Sequence, residues 1–252
     1  MKLTFLGTGT SCGVPVIGCQ CEVCQSTDPK DQRTRCSVLV ETEATRLLID
    51  CGPDFRQQIL PQPFRKIDGI LITHSHYDHM GGMDDIRPYC QFGEMNVYAD
   101  PIARKAMLEM LPYCFAEHRY PGVPAIGLHE IHAHEPLQIG DFDIMPIEVM
   151  HGKLPILGYR VGRMAWITDM LTMPEAEYEH LQGLDVLVMN ALREKPHPTH
   201  QTLAEAIGNV KRLAPKETYF IHMSHHVGLH AEIGSLLPPN MHFAYDGLTI
   251  TL

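Results

Sequence analysis

Short runs of apolar and β-branched residues, bounded by Gly, Pro, Asp and Asn, recur along the chain and predict β-strands. Apolar positions spaced three and four residues apart predict helices over Pro101–Met110, Pro174–Leu181 and Thr199–Leu213. Within the last of these, Thr202 and Glu205 have the spacing of a capping box. The predicted strands are Leu3–Leu6, Ser37–Val40, Leu47–Asp50, Gly69–Thr73, Asn96–Tyr98, Phe142–Val149, Gly158–Val161, Ala165–Thr168, Val186–Met189, Thr218–Ile221 and Leu248–Thr251.

This pattern has more strands than helices, and some strands follow one another closely enough to form hairpins. Mixed sheets flanked by helices, an α/β (α+β) arrangement, therefore fit better than a purely parallel doubly wound sheet. The chain has 252 residues and shows no internal repeat and no long linker. We therefore predict a single domain over residues 1–252.

Composition and charge narrow the classes of function. The formal net charge is −10, which argues against binding nucleic acid through a broad positively charged surface. The chain contains no run of about 18 apolar residues and no recognisable signal peptide, so we expect a cytoplasmic protein with no membrane partner. In that compartment, the eight cysteines indicate thiols or metal ligands more than disulfides.

The strongest chemical signal is His74-x-His76-x-Asp78-His79, directly after the predicted strand Gly69–Thr73. Alternate side chains of an extended segment share a face, so His74 and His76 can point together. If the chain then turns into a helix, Asp78 and His79 are directed toward a second nearby point. Imidazoles and carboxylates together suit Zn, Mn or Fe. The alternative is a polar turn without a metal, but burying these four groups together would then be costly.

This motif resembles the signature of the metallo-β-lactamase superfamily. The resemblance implies a four-layer αβ/βα sandwich with a site for two divalent metals, formed by residues at strand ends. It implies that His74, His76 and His151 hold one metal, that Asp78, His79 and His222 hold the second, and that Asp169 bridges them. Two adjacent metals can lower the pKa of a shared water and stabilise charge on a phosphoryl group. Asp50 matches the first motif of the family, where it implies a supporting role.

A second segment indicates the branch of the superfamily. His200-Gln-Thr202 resembles the His-Ser-Thr element of the tRNA 3′-processing endonucleases, and this implies that His200 is the general acid, acting beside Asp78. In those enzymes a glutamate orients the histidine, whereas Asn190 occupies the corresponding position here. Asn190 can hold an imidazole but cannot stabilise its cation as a carboxylate would. The alternative is that His200 only lies in the first turn of a helix, where the helix dipole disfavours its protonated form.

The segment at about 12–36 is rich in cysteine and glycine. The spacing Cys19-x-Cys21-x-x-Cys24 is tight enough to place three thiolates around one structural Zn²⁺, which needs a fourth ligand. His225 or His226 could supply it, with Cys12 as the runner-up. The alternative is a set of ordinary thiols with one redox pair. Such a zinc would stiffen a loop beside the pocket and would take no part in the chemistry.

A closer resemblance is carried by three features together: the cysteine segment, the His74–His79 motif and the segment from Asn190 to His200. It is to a phosphodiesterase of the bacterial carbon–phosphorus lyase pathway of phosphonate catabolism. It implies hydrolysis of 5-phosphoribosyl 1,2-cyclic phosphate to ribose 1,5-bisphosphate, activity on 2′,3′-cyclic nucleotides, a preference for Mn²⁺ over Zn²⁺, and a homodimer. The small cyclic phosphate is then the main partner, and nucleic acid is not. Two alternatives remain open: an endoribonuclease of the tRNA 3′-processing type, and a non-catalytic metal-containing binding protein. The remaining histidines are interpreted as structural or surface groups: His118, His129, His132, His134, His180, His230 and His242.

Overall fold

The computed structural model describes residues 1–118 and 120–252, and most of its strands belong to two seven-stranded sheets. In the first sheet the order is β14-β1-β2-β3-β4-β5-β6. Its first four members pair antiparallel, and β3 to β6 pair parallel. The strands are β1 (Lys2–Gly7), β2 (Ser37–Glu41), β3 (Arg46–Ile49), β4 (Gly69–Leu71), β5 (Met95–Ala99), β6 (Ile126–Glu130) and β14 (Thr249–Thr251).

The second sheet repeats this design. Its order is β13-β12-β11-β10-β9-β8-β7, antiparallel from β7 to β10 and parallel from β10 to β13. Since parallel strands end at the same edge of a sheet, the loops that follow them gather side by side. The strands are β7 (Leu137–Ile139), β8 (Phe142–His151), β9 (Leu154–Val161), β10 (Met164–Ile167), β11 (Val186–Asn190), β12 (Glu217–Ile221) and β13 (Met241–Phe243).

Helices cover the outer faces of both sheets. The α-helices of the described residues are α1 (Glu22–Gln25), α2 (Phe55–Ile59), α3 (Tyr77–Met80), α4 (Pro101–Met110), α5 (Glu177–His180), α6 (Leu203–Leu213) and α7 (His230–Gly234). The 3₁₀ segments are Pro29–Asp31, Met83–Phe92, Pro112–Cys114 and His225–Val227. Among the residues described, no helix combines the length and the apolar character needed to cross a bilayer.

Three apolar layers hold the sheets and helices together. Phe5 and Trp166 are fully buried between the two sheets. Phe55 and Met107 belong to the layer that joins the first sheet to its helices, and Val210 belongs to the corresponding layer of the second sheet. The order is therefore helix, sheet, sheet, helix, which confirms the predicted four-layer αβ/βα sandwich.

The local predictions were correct for most of the strands and for α4, and less accurate for the other two predicted helices. The capping box is present, with Thr202 as the N-cap, so α6 begins at Leu203 and the predicted start at Thr199 is wrong. Of the helix predicted over Pro174–Leu181, only the single turn of α5 is present in the structure. Strands β6, β7 and β13 were not predicted. They have three to five residues each, and each contains only two large apolar side chains, which is a weak strand signal.

Candidate metal centre

The loops that follow β3, β4, β10 and β12 meet at one edge of the sandwich, together with the carboxyl end of β8. They bring together the side chains singled out in the sequence: Asp50, His74, His76, Asp78, His79, His151, Asp169 and His222. All of these are buried except His76, which is exposed. A cluster of eight polar groups at strand ends is therefore largely removed from solvent.

Three of these residues have a left-handed backbone. The φ angles are 62° for Asp50, 57° for Asp169 and 54° for His222. Each such conformation costs on the order of 1–3 kcal/mol in a residue other than glycine. Asp50 and His222 directly follow a strand, and Asp169 lies two positions after the end of β10; the sharp turn at each residue redirects its side chain into the cluster. The fold therefore accepts local backbone strain in order to place these three groups.

One group of ligand atoms is formed by His74, His76 and Asp169. Nε2 of His74 lies 3.0 Å from Nδ1 of His76 and 3.8 Å from Oδ2 of Asp169. The His151 ring packs against His76 at a centroid distance of 5.0 Å. Nδ1 of His151 donates to the carbonyl oxygen of Asp169 at 2.7 Å, so its Nε2 is left free as a ligand.

A second group is formed by Asp78, His79, Asp169 and His222. Nε2 of His79 lies 3.1 Å from Oδ1 of Asp169 and 3.3 Å from Oδ2 of Asp78. Nε2 of His222 lies 3.2 Å from Oδ2 of Asp169. Asp169 thus belongs to both groups of ligand atoms. Its carboxylate is the ligand that the two groups share.

The unpaired atoms of this cluster test whether it fits a metal. Nε2 of His79 and both ring nitrogens of His222 are buried without a hydrogen-bond partner among the described residues. Burial alone would lower the pKa of His79, but the carboxylates of Asp169, Asp50 and Asp78 raise it well above its usual range. The pocket therefore has an excess of negative charge and unused imidazole nitrogens, as a site for divalent cations requires.

Asp50 and Thr73 orient two of the imidazoles. Nδ1 of His79 donates to Oδ2 of Asp50 at 2.7 Å. The Thr73 hydroxyl lies within 3.0 Å of both Asp50 oxygens and donates to this carboxylate, so Nδ1 of His74 donates to the Thr73 oxygen. In both histidines Nε2 then faces the cluster and is the nitrogen that a metal would take in place of a proton. The sequence reasoning missed Thr73, whose position just before His74 was the available signal.

His200 lies at the junction of the two groups. Its ring stacks on His222 at 4.9 Å and meets the edge of His151 at 4.7 Å, and Nε2 is 3.9 Å from Oδ2 of Asp169. Nδ1 of His200 is buried without a hydrogen-bond partner among the described residues. The ring packs against His151 and His222, and Nδ1 does not orient it through a hydrogen bond to another described residue. It lies before the N-cap of α6, so the alternative prediction that His200 lies in the first helical turn is wrong.

Asn190 does not orient His200 by a hydrogen bond. Its Oδ1 accepts from the backbone N–H of Met170 at 2.9 Å, and its Nδ2 donates to the Met170 carbonyl at 3.0 Å. Asn190 therefore supports the strained turn at Asp169. The loop before α6 is fixed through Gln201, which bonds the backbones of Asn190 and Met170.

The cysteine segment forms a separate cluster. Nδ1 of His225 lies 3.3 Å from each of the Sγ atoms of Cys19, Cys21 and Cys24. Roughly 3.5 Å separates sulfur and nitrogen on a tetrahedral zinc, so this set fits such an ion. The backbone N–H of Cys24 lowers the pKa of the Cys21 thiol, which favours the thiolate. His226 and Cys12 lie outside this four-ligand set.

Comparisons with known proteins agree with the fold. The family model described as "Beta-lactamase superfamily domain" matches residues 45–223. A solved structure described as a new diphosphatase from the PhnP family is 40% identical, with a TM-score of 0.92, and the match covers 99% of this chain and 96% of that one.

Two curated relatives are longer proteins. An octanoyltransferase of Porphyromonas gingivalis is 45% identical over 98% of this chain and 51% of its own length. A ribonuclease Z of Methanopyrus kandleri is 26% identical over 53% of this chain and 46% of its own length. The chain thus spans about half the length of these relatives. From the family match and the strand-end cluster together, we conclude that the chain belongs to the metallo-β-lactamase superfamily.

Proposed function

We propose that this protein is a metal-dependent phosphodiesterase that hydrolyses a small cyclic phosphate. The proposed natural substrate is 5-phosphoribosyl 1,2-cyclic phosphate, with 2′,3′-cyclic nucleotides as further substrates. The observation that carries the proposal is the position of His200 against both ligand groups at their shared residue, Asp169. The superfamily, the PhnP-family diphosphatase and the ribonuclease Z relative support a metallo-hydrolase acting on phosphodiester bonds.

The residues present fit two divalent cations, with Mn²⁺ as our proposal and Zn²⁺ as the alternative. His74, His76, His151 and Asp169 would hold one, and Asp78, His79, His222 and Asp169 the other. Such ions would supply an activated water and would neutralise charge on the phosphoryl oxygens. Asp50, through its bond to His79, keeps the ligand nitrogen aimed at the cluster.

His200 would donate the proton to the leaving oxygen of the sugar. Burial lowers the pKa of His200 to about 3, so the imidazole is neutral in the free site at neutral pH. A bound phosphate carries negative charge into the same pocket and favours the imidazolium form. We propose that His200 takes up its proton when the substrate is bound, where the leaving group needs it.

The charge of the chain favours a small substrate over RNA. The protein has 20 Lys and Arg against 30 Asp and Glu, so a long polyanion would meet an acidic surface. Arg193, in the loop before His200, donates to the carbonyl oxygens of Lys195 and Pro196. Its guanidinium therefore stabilises the loop rather than extending toward a nucleic acid backbone.

We do not extend octanoyl transfer to this chain. An acyl transferase that works through a thioester needs a reactive thiol. Cys36 is the candidate to consider, because Asp169 and His79 of the strand-end cluster act on its thiol. Burial raises the pKa of Cys36 well above its usual range, and its Sγ donates to the Gly9 carbonyl. Cys36 is therefore an unreactive packing group.

The test is hydrolysis of a 2′,3′-cyclic nucleotide by chelator-stripped protein, with and without added Mn²⁺ or Zn²⁺. A tRNA precursor with a 3′ trailer is assayed in parallel. We expect turnover of the cyclic nucleotide that returns with metal and exceeds cleavage of the precursor. Preferential cleavage of the precursor would establish the endoribonuclease instead. No turnover of either, in protein shown to have bound metal, would contradict the phosphodiesterase proposal and favour the non-catalytic binding protein.

A further inference from the structure

A third cluster of metal-ligating side chains lies outside both sites described above. It consists of His134, Glu177 and His180, whose ligand atoms all lie within 4.8 Å of one another. His134 lies in the turn between β6 and β7, and the other two belong to the single turn of α5. None of the three is a member of the strand-end cluster or the cysteine cluster.

The backbone holds these residues in place. His134 has a left-handed φ of 65°, and its N–H donates to the Pro146 carbonyl on β8. Glu177 and His180 have the i, i+3 spacing that puts two side chains on one helical face, as in the Glu-x-x-His ligand pairs of helical metal proteins. Arg160 donates to the His180 carbonyl and ties α5 to β9. The three side chains are thus presented by a pinned turn and an anchored helical turn.

The Glu177 carboxylate provides an independent indication of a ligand. Its side chain is only 3% exposed. Nε2 of His134 lies 2.6 Å from Oε1, whereas Oε2 is buried without a hydrogen-bond partner among the described residues. An unsatisfied buried carboxylate oxygen costs free energy unless a cation or water completes it. The His180 ring, stacked on His134 at 4.8 Å, brings a second imidazole to this carboxylate.

We propose that His134, Glu177 and His180 form a third binding site, for a divalent transition-metal ion of the Zn²⁺ class. A set of two imidazoles and one carboxylate favours such ions, whereas Mg²⁺ and Ca²⁺ favour sites made of oxygen ligands. His180 also lines a cavity of about 510 Å³, through which an ion and its remaining water ligands can enter. The ion would join the turn before β7 to α5 and so stabilise this edge of the second sheet.

The experiment counts zinc on the whole untagged protein. The wild type, His180→Gln and Glu177→Gln are saturated at their other sites and then dialysed against a series of free Zn²⁺ concentrations. Ions per chain are measured by elemental analysis, and the fold is checked by circular dichroism. His132→Gln is the matched control, because His132 is a half-exposed imidazole of the same turn that lies outside the cluster.

We expect the wild type and His132→Gln to bind one ion per chain more than the other two variants, or to bind it at least about 10-fold more tightly. Zinc should also raise the Tm of the wild type by more than that of His180→Gln. His180 is only partly buried, so this variant decides the outcome if Glu177→Gln fails to fold. Equal zinc titrations for the wild type and His180→Gln would overturn the proposal and leave an ordinary His–Glu hydrogen bond.

Discussion

Oδ2 of Asp50 accepts a hydrogen bond from Nδ1 of His79 at 2.7 Å, and both side chains are completely buried. This one contact fixes the tautomer of His79 and directs its other nitrogen toward Asp169. Asp50 also accepts from the N–H and the hydroxyl of Thr73, so a single carboxylate orients side chains in both ligand groups. It does this from a left-handed backbone conformation that asparagine also tolerates.

Asp50→Asn should therefore weaken metal binding without removing a metal ligand. The amide keeps the size and the backbone preference of aspartate but loses the charge that favours the oriented imidazole. We expect metal affinity at the centre to fall by about 10–100-fold, with activity restored by excess metal. Competition with a chelating dye measures the affinity. An unchanged affinity would show that Asp50 has only a packing role.

His200→Ala should separate substrates by their leaving groups. A sugar alkoxide needs a proton in order to leave, so we expect a loss of about 10²–10⁴-fold on a cyclic phosphate. Nitrophenolate leaves without a proton, so the variant should lose far less activity on an activated nitrophenyl ester. His197→Ala is the control, because its ring lies 5.1 Å from His200 but belongs to neither ligand group. Equal losses of His200→Ala on both substrates would contradict the general-acid role.

Cys21→Ser should remove zinc from the cysteine cluster and leave the strand-end ligands unchanged. A hydroxyl is a poor substitute for a thiolate, so we expect the zinc content to fall by about one ion per chain. Each kcal/mol lost should lower the Tm by roughly 2–4 °C in a domain of this size. Elemental analysis and thermal unfolding measure both effects. Cys90→Ser is the control, since Cys90 is not one of the four grouped ligands. Full zinc occupancy in Cys21→Ser would refute the site.

His230 should make stability depend on pH. Burial, together with the nearby Arg33 guanidinium, lowers the pKa of His230 to about 4, and Arg33 donates to its Nδ1 at 3.1 Å. The unfolded chain has a histidine pKa of about 6.5, so between about pH 4 and 6.5 it binds more protons than the folded protein. The stability that the neutral imidazole contributes is complete above about pH 6.5 and is lost as the pH falls toward 4.

His230→Asn retains an acceptor for Arg33 but cannot titrate. Its free energy of unfolding should fall less than that of the wild type between pH 7 and pH 4.5, as measured by urea denaturation. His242→Asn serves as the control, because His242 pairs with Glu217 at the surface and should keep the dependence of the wild type. The same slope in all three proteins would exclude His230 as a source of the pH dependence.

Contacts between residues that are close in the sequence were predictable, and contacts between distant residues were not. His74 to His79 lie on one strand end and one helical turn, so their spacing alone predicts convergence. His151, Asp169 and His222 come from separate strands, and only the resemblance to a family linked them. The role of Asn190 was not predictable, because it depends on the backbone of Met170, which only the parallel pairing of β10 and β11 brings near. The contact between His134 and Glu177 was not predictable either, because these residues lie 43 positions apart and only the fold brings them together.

The cysteine cluster and the strand-end cluster share a short piece of chain. His222 and His225 stand three positions apart, and Ser224 between them donates to the Leu192 carbonyl in the loop that leads to His200. An oxidant or an alkylating agent that attacks the thiolates would release His225 and loosen this link. The enzyme would then lose activity to thiol reagents although its proposed chemistry uses no thiol, and a covalent inhibitor could act from outside the substrate pocket.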